Sequence, residues 1–513
     1  MSNEALETWM EREPATPQPD ELHAPQPPAP DPTFDFTPLD GNHTIRHGEV
    51  LAELLQQVQR VDFEAEANPN NADNFRLSRN HYVILTIEKI LKLAEVNKWG
   101  LCKNNGFVYL FNGEYWSIIE EDTLKTFLGE AAEAMGVPQF TARYYDFRDI
   151  LYKQFQSQAN LQAPDSDNTK VLINLQNGTF EVTTVKRELR EFDCSDFITH
   201  QLPFRYNENA TAPLFGAYLD RVLPDKDRQK VLSEYMGYLF IRNGGGLKLE
   251  KALILYGTGA NGKSVFFEIV NALLGSDNVS SYSLQSLTDA SGYYRAKLGN
   301  KLVNYASEIN GKLETSIFKQ LVSGEPVEAR LPYGEPFMQR NYAKLIFNCN
   351  ELPKDIEHTE AFFRRFLIVP FDITIPAEEQ NPNLSKEIIE NELSGVFNWV
   401  LQGVDRLLKQ QGFTPCEAAA EAVNRFRTES DSVAMFLSES GYKCSNRTTE
   451  PLKEIYRSYT YYCNDSGYRP CSKITFSDRM RGLGYVSKRS NAGMEFWIEK
   501  ESQPEIWDNE TED

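Results

Sequence analysis

At 513 residues, 41% apolar and 25% charged, with a formal net charge of −21, the chain has room for about three or four domains and at least one large core. No apolar run is long enough to span a bilayer and the N-terminus lacks the basic, apolar and small-residue order of a signal peptide, so a soluble, cytoplasmic protein is expected. The seven cysteines form no CxxC pair and the six histidines show no ligand spacing, so neither a disulfide framework nor a zinc site is expected.

Most of the acidic excess lies in residues 1–80 and beyond Ile498. The body is close to neutral, so the global charge does not exclude nucleic acid as a partner. In chain order, residues 1–75 form an acidic, Pro-rich tail expected to be largely disordered, with HAPQPPAPDPT at its centre and a short helix at Leu51–Val61 ended by NPNNADN. Residues 76–206 are predicted to be an α/β domain. Its elements are a helix at Tyr82–Ala94, a hairpin in GFVYLFNGEYWSII with an NG turn, and a second β-rich stretch, VLINLQNGTFEV. It carries no catalytic triad or metal cluster. Residues 207–249 read as helical with a break at Pro224, 250–375 as a nucleotide-binding core, and 376–430 as helical through the stripe Leu393, Val396, Phe397, Val400, Leu401, Val404, Leu407.

The core opens with GTGANGKS. Gly257, Thr258, Gly259, Ala260, Asn261, Gly262, Lys263 and Ser264 follow the apolar run Ala252–Leu255 and lead through Val265 into an amphipathic segment. A strand, a glycine-rich turn and a helix N-terminus in that order aim backbone N–H groups and a helix dipole at phosphate oxygens. Lys263 is placed to reach the β- and γ-phosphates of ATP and Ser264 offers a hydroxyl to Mg²⁺. Nucleotide hydrolysis is therefore the first functional expectation.

Three later segments fit that chemistry. The strand KLVNYASEI ends in Glu308, a carboxylate suited to holding Mg²⁺ or polarising the attacking water, with Ser307 where many phosphate-loop enzymes have Asp. The strand KLIFNCN ends in Asn350, an amide able to sense the γ-phosphate; Asn348 alternates to the same face, and Asn350 is preferred as the strand-end residue. FFRRFLIVPF then places Arg364 and Arg365 before another buried strand, where a guanidinium could serve a transferring phosphoryl group.

Taken together, LYGTGANGKS, YASE, FKQLVSGEPVEARLPYGEPF, IFNCNELP and RRFLIVPF resemble the superfamily 3 helicases of the AAA+ class, in particular the phage/plasmid and poxvirus-type primase-helicase family. The resemblance covers about Leu214–Phe371 and implies a multidomain α/β protein with an AAA+ core that forms a ring, typically a hexamer, around single-stranded or forked DNA. It implies ATP at subunit interfaces, Lys263 and Ser264 as phosphate and magnesium ligands, Glu308 as the acid-strand residue, and Asn350 as the sensor. Arg364 or Arg365 would be a finger supplied to the neighbouring subunit. It also implies a channel hairpin between Lys319 and Phe337, in which Arg330 and Tyr333 would hold a phosphate and a base, with Lys319 on the preceding helix. A DNA-binding initiator or assembly platform without unwinding is the alternative, and a small-molecule kinase shares the loop alone.

Residues 431–500 turn basic and aromatic and read as helix, helix and ribbon, resembling a winged helix. Lys473, Arg479 and Arg481 fall on or beside its second helix and Lys488 and Arg489 in the wing, all placed to meet phosphates, with protein docking as the other use of such a module. Residues 501–513 form a second acidic tail. Residues 76–206 lack an acidic-pair-plus-histidine primase signature, so a separate primase, polymerase or initiator would act in trans, with the acidic N-terminal segment as its tether or a solubilising extension. The expected host compartment is bacterial cytoplasm.

Overall fold

The computed structural model describes residues 46–70, 75–104, 107–159, 170–242, 247–307, 309, 313–332, 334–353, 358–490 and 493–500. The expected acidic segments before residue 46 and after residue 500 lie outside them, as do Glu308, Tyr333 and Asn491.

The folded chain begins inside the segment expected as tail. Helix α1 (His47–Gln57) buries Val50, Leu51 and Leu54, one helical face, and beyond it Val61 N donates to Met135 O at 2.8 Å. It packs with α2 (Arg79–Val96) and α3 (Glu121–Met135), both of which pack in turn with α4 (Tyr145–Gln158). Between α2 and α3 lies an antiparallel sheet of β1 (Gly100–Asn104), β2 (Phe107–Phe111) and β3 (Trp116–Ile118). The Asn112–Gly113 turn joining β2 to β3 is closed by Asn112 Oδ1, which accepts from Glu114 N and Tyr115 N at 3.0 Å, with Gly113 at φ +100°.

A second antiparallel sheet, β4 (Val171–Leu175), β5 (Gly178–Val182) and β6 (Arg187–Arg190), does not belong with those helices. Its Ile173, Leu175, Phe180 and Val182 join the core formed by α5 (Pro213–Val222), α6 (Lys226–Tyr238) and the sheet that follows. Within the predicted 76–206 unit, the apolar face of β4–β5 is therefore satisfied by the later helices, while Trp116 N of β3 still donates to Ile198 O at 2.8 Å.

The central sheet is parallel, in the order β13-β7-β12-β9-β8. Its strands are β7 (Ala252–Tyr256), β8 (Val279–Ser280), β9 (Val303–Ser307), β12 (Lys344–Cys349) and β13 (Phe366–Pro370). Helix α7 (Lys263–Leu274) follows β7; α8 (Thr315–Ser323) leads to a hairpin of β10 (Val327–Arg330) and β11 (Pro336–Gln339). Strand alternation sorts the sheet cleanly. Leu253, Leu255, Tyr305, Ile346 and Val369 face α5, α6 and α7, whereas Ala252, Ile254, Ala306, Phe347 and Ile368 face Phe318 of α8 and Phe426 of a later helix.

After the sheet come α9 (Leu384–Asn391), α10 (Leu393–Gln410) and α11 (Glu417–Glu429). Helix α10 lies on α6, and Glu392 caps α5 by accepting from Leu214 N and Phe215 N at 2.9 Å. The two helices meet backbone to backbone: a Cβ on Gly403 would lie 2.1 Å from Ser233 O. Gly403→Ala is therefore expected to cost about 1–3 kcal/mol of stability, because neither helix backbone can give way locally. Gly216→Ala on α5, whose Cβ meets nothing within 4 Å, is expected to be neutral or mildly stabilising. Paired thermal melts check both.

The C-terminal unit runs α12 (Ser432–Glu439), β14 (Tyr442–Pro451), α13 (Leu452–Asp465), α14 (Lys473–Gly482), β15 (Ser487–Ser490) and β16 (Gly493–Lys500). The strands pair antiparallel as β14-β16-β15 over a core of Phe436, Ile455, Tyr459, Phe476, Phe496 and Ile498. Among the described residues no helix is long and apolar enough to cross a membrane.

Candidate functional site

The parallel sheet ends in a cavity of about 930 Å³ at the carboxyl edge of its strands, where loops must leave the sheet and ligands typically bind. Residues 259–265 line it, together with Ser307 of β9, Asn348 of β12 and Asn350 just beyond that strand. Three segments distant in sequence therefore converge because β7, β9 and β12 are adjacent and in register, Asn348 pairing with both Ser307 and Leu255.

The loop shape depends on its small residues. Gly259, Ala260 and Gly262 all have positive φ, at +117°, +47° and +87°. A Cβ on Gly257 would lie 2.2 Å from Asn261 Nδ2 and 2.5 Å from Phe371 O. Asn261 Nδ2 donates to that same Phe371 O at 3.0 Å, which ties the loop to the end of β13. Thr258 is exposed and Val265 half-buried at the start of α7.

Lys263 is buried, and its Nζ donates to Gly257 O at 2.6 Å and to Asn261 Oδ1 at 3.0 Å. Burial pulls its pKa below the usual lysine value, the ordinary consequence of desolvating an ammonium. Ser264, next on the helix, is exposed to the cavity. A positive side chain, a free hydroxyl and a helix N-terminus thus share one concave surface, a donor set matched to polyphosphate and a hard cation. Among the described residues no group of three or more His, Cys, Asp or Glu could hold a metal by itself.

Asn348 is half-buried and Asn350 exposed, and both line the cavity. The paired arginines lie at the other end of the sheet. Arg364 and Arg365 precede β13, one strand length or roughly 16 Å from the phosphate loop. Their environments differ sharply. Arg365 is 8% exposed, donates through Nη2 to Ser323 Oγ at 3.0 Å and through Nη1 to Ala361 O, and so belongs to the core. The Arg364 side chain is 58% exposed and has only a loose 3.7 Å approach to Glu250.

The other expected contact residues fall in two places. Lys319 is half-buried on α8, and Arg330 is exposed at the end of β10, where its Nε donates to Gly334 O at 2.8 Å and braces the hairpin turn. Phe337 of β11 meets Phe107 of β2 edge-on at 5.6 Å, which ties the hairpin to the N-terminal sheet. In the C-terminal unit Lys473 and Arg489 are exposed. Arg481 is held by Asp478 at 2.6 Å, and Lys488 sits 4.6 Å over the Trp497 ring and 3.4 Å from Glu495. Arg479 turns inward, 3.6 Å from Asp431, where that carboxylate also caps α12; it is an internal brace rather than an outward-facing cation.

Residues that local sequence did not single out also shape the site. Tyr218 OH donates to Gly262 O at 2.8 Å, and Tyr305 OH to Asn348 Oδ1 at 3.0 Å. These contacts cross 44 and 43 positions respectively and leave no local pattern to read.

Two family models match parts of the chain. Residues 255–365, which hold the cavity's loop and strand ends, match a family of unknown function (DUF5906), and residues 89–224 match a model described as D5 N terminal like. A protein of Acanthamoeba polyphaga mimivirus named "putative helicase" is 26% identical over 216 residues, 40% of this chain and 22% of that protein. A protein of Invertebrate iridescent virus 3 with the same name is 23% identical over 345 residues, 58% of this chain and 35% of that protein. The chain thus spans about a fifth to a third of the length of these relatives. The chain is thus similar in part to D5-like proteins and to viral proteins named as helicases. Two solved structures of the NrS-1 C-terminal region are similar at TM-scores of 0.44 and 0.43 and identities of 13% and 12%. They cover 80% and 81% of this chain and 99% and 98% of theirs.

Proposed function

We propose that the chain is an ATP-dependent DNA helicase of superfamily 3, with an AAA+ core that works in a ring and a winged-helix module at its C-terminal end. The convergence of Lys263, Ser264, Asn348 and Asn350 on one cavity carries the reading, because a phosphate clamp and strand-end amides on one surface are the parts of a hydrolytic phosphoryl-transfer site. The matches to D5-like proteins and to viral proteins named as helicases support the DNA side of it. ATP would lie along the loop with Mg²⁺ at Ser264 and Glu308, and the amide of Asn350 would meet the γ-phosphate. Arg364, pointing outward from the opposite sheet edge, suits a neighbour's site rather than its own.

Ring closure would place the β10–β11 hairpin in the channel, with Arg330 and Tyr333 gripping a strand as the nucleotide state changes. Lys319 would add charge at its base. Lys473, Arg481, Lys488 and Arg489 would give the winged helix its phosphate contacts. The chain would act as a replication protein in its host's cytoplasm, with any primase or polymerase supplied separately.

Strand displacement on a forked duplex, with ATP and Mg²⁺, tests the reading. The expected result is unwinding together with DNA-stimulated hydrolysis, and Arg330→Ala should lose most of both the displacement and the DNA-stimulated increment. Stimulated hydrolysis with no displacement would instead make the protein an ATP-regulated platform.

A further inference from the structure

Tyr305 is a polar residue in an apolar core. Its side chain is fully buried on the α7 face of the sheet, with the ring edge-on to Phe267 of α7 at 4.8 Å. A phenylalanine would pack the same space, and a buried phenol has to offset the loss of its water. The hydroxyl does so through one contact, the 3.0 Å hydrogen bond to Asn348 Oδ1. Burial first, and the nearby Tyr218 second, push the phenol pKa well above its ordinary value, so the O–H keeps its proton and remains a donor.

That donor decides which way the amide points. The terminal torsion of asparagine is broad and roughly two-fold, so an unheld amide presents oxygen or nitrogen equally well. With Oδ1 accepting from Tyr305, the two N–H donors of Asn348 are left for other partners, and Asn348 lines the cavity with Lys263, Ser264 and Asn350. We infer that Tyr305 is a positioning residue that aims the Asn348 amide at the γ-phosphate, so that a second oriented donor works beside Asn350. The inference rests on the reading of the cavity as an ATP site. In that reaction the water oxygen bonds to the γ-phosphorus as the bond to the bridging oxygen breaks. ADP leaves with the electron pair and the water proton passes to solvent. The amide gains and loses no proton; its donors meet the charge that builds on the phosphoryl oxygens.

The test compares Tyr305→Phe, Asn348→Ala and the double variant in the full chain, reading kcat and KM for ATP, affinity for a fluorescent ATP analogue, and melting temperature. Loss of the phenol should lower kcat by about tenfold, the usual scale for removing a residue that orients a contacting group, with KM and affinity nearly unchanged. Asn348→Ala should fall at least as far, and the double variant no further than Asn348→Ala. Normal kcat in Tyr305→Phe, additive losses, or a fall in affinity matching a fall in melting temperature would each overturn the inference. Lys263→Ala separates the two levels. If wild-type protein hydrolyses ATP, Lys263→Ala does not and Tyr305→Phe does so normally, only the positioning role is lost. Hydrolysis surviving in Lys263→Ala overturns the site reading and this inference with it.

Discussion

Lys263→Ala is expected to lower ATP hydrolysis by at least about a hundredfold, the scale for removing one preorganised donor from a charge-stabilising site. Phosphate release by the full chain with Mg²⁺ and single-stranded DNA measures it. The loop itself should survive the change. Asn261 Nδ2 keeps Phe371 O as its acceptor although its Oδ1 loses the lysine, Gly259 and Gly262 supply the left-handed backbone, and Tyr218 fixes Gly262 O from outside. What is removed is the ammonium that now sits between Gly257 O and Asn261 Oδ1 at the mouth of α7. A bound triphosphate offers that ammonium anionic oxygens in place of neutral ones, so the lysine gains most when negative charge grows in the transition state. Nucleotide affinity should fall as well, but by less than kcat/KM. A variant that hydrolyses ATP at the wild-type rate would remove the phosphate loop from the reaction.

The parts of this molecule that could be read from sequence are those whose cause is local. GTGANGKS carries its own geometry, since the positive-φ positions and the following helix lie within eight residues, and KLIFNCN shows its strand as an apolar run stopped by polar amides. The break at Pro224 and the NG turn at Gly113 are local for the same reason. Helix α3 was not among the elements expected from sequence, although Leu124, Phe127, Leu128, Ala131 and Met135 recur at helical spacing between the two β-rich stretches. Other features have no local cause. The β4–β5 hairpin reads as part of the N-terminal unit until Phe180 is seen 6.3 Å from Phe397, and α5 has no capping side chain of its own because Glu392 supplies one from 178 positions away. Arg479 has the spacing of a groove-facing cation; only the position of Asp431 shows that it braces α12 and α14 together. Arg364 and Arg365, adjacent and chemically identical, are separated only by what surrounds them.

That separation leads to the second large effect. Arg364→Ala is expected to lower ATP hydrolysis by about a thousandfold, the lower range for losing an arginine finger, while leaving melting temperature near that of the wild type. The side chain is mostly exposed and its carboxylate neighbour Glu250 stands 3.7 Å away, so little folding energy depends on it. Arg365→Ala should do the reverse. It strips the partner from Ser323 Oγ and empties a buried site, a loss of about 1–3 kcal/mol, and it should be read first in thermal melts. Arg364 lies a full strand length from the loop of its own chain, so in the proposed ring the ATP it serves would be bound by a neighbour, and mixing variants tests that directly. Arg364→Ala subunits keep an intact loop, and Lys263→Ala subunits keep an intact finger. In a random one-to-one mixture about a quarter of head-to-tail interfaces join the two, so activity should recover to roughly a quarter of wild type although each protein alone is inactive. A mixture as inactive as its components would mean that Arg364 serves no neighbouring site, and equal recovery with Arg365→Ala in its place would transfer the finger to the buried residue.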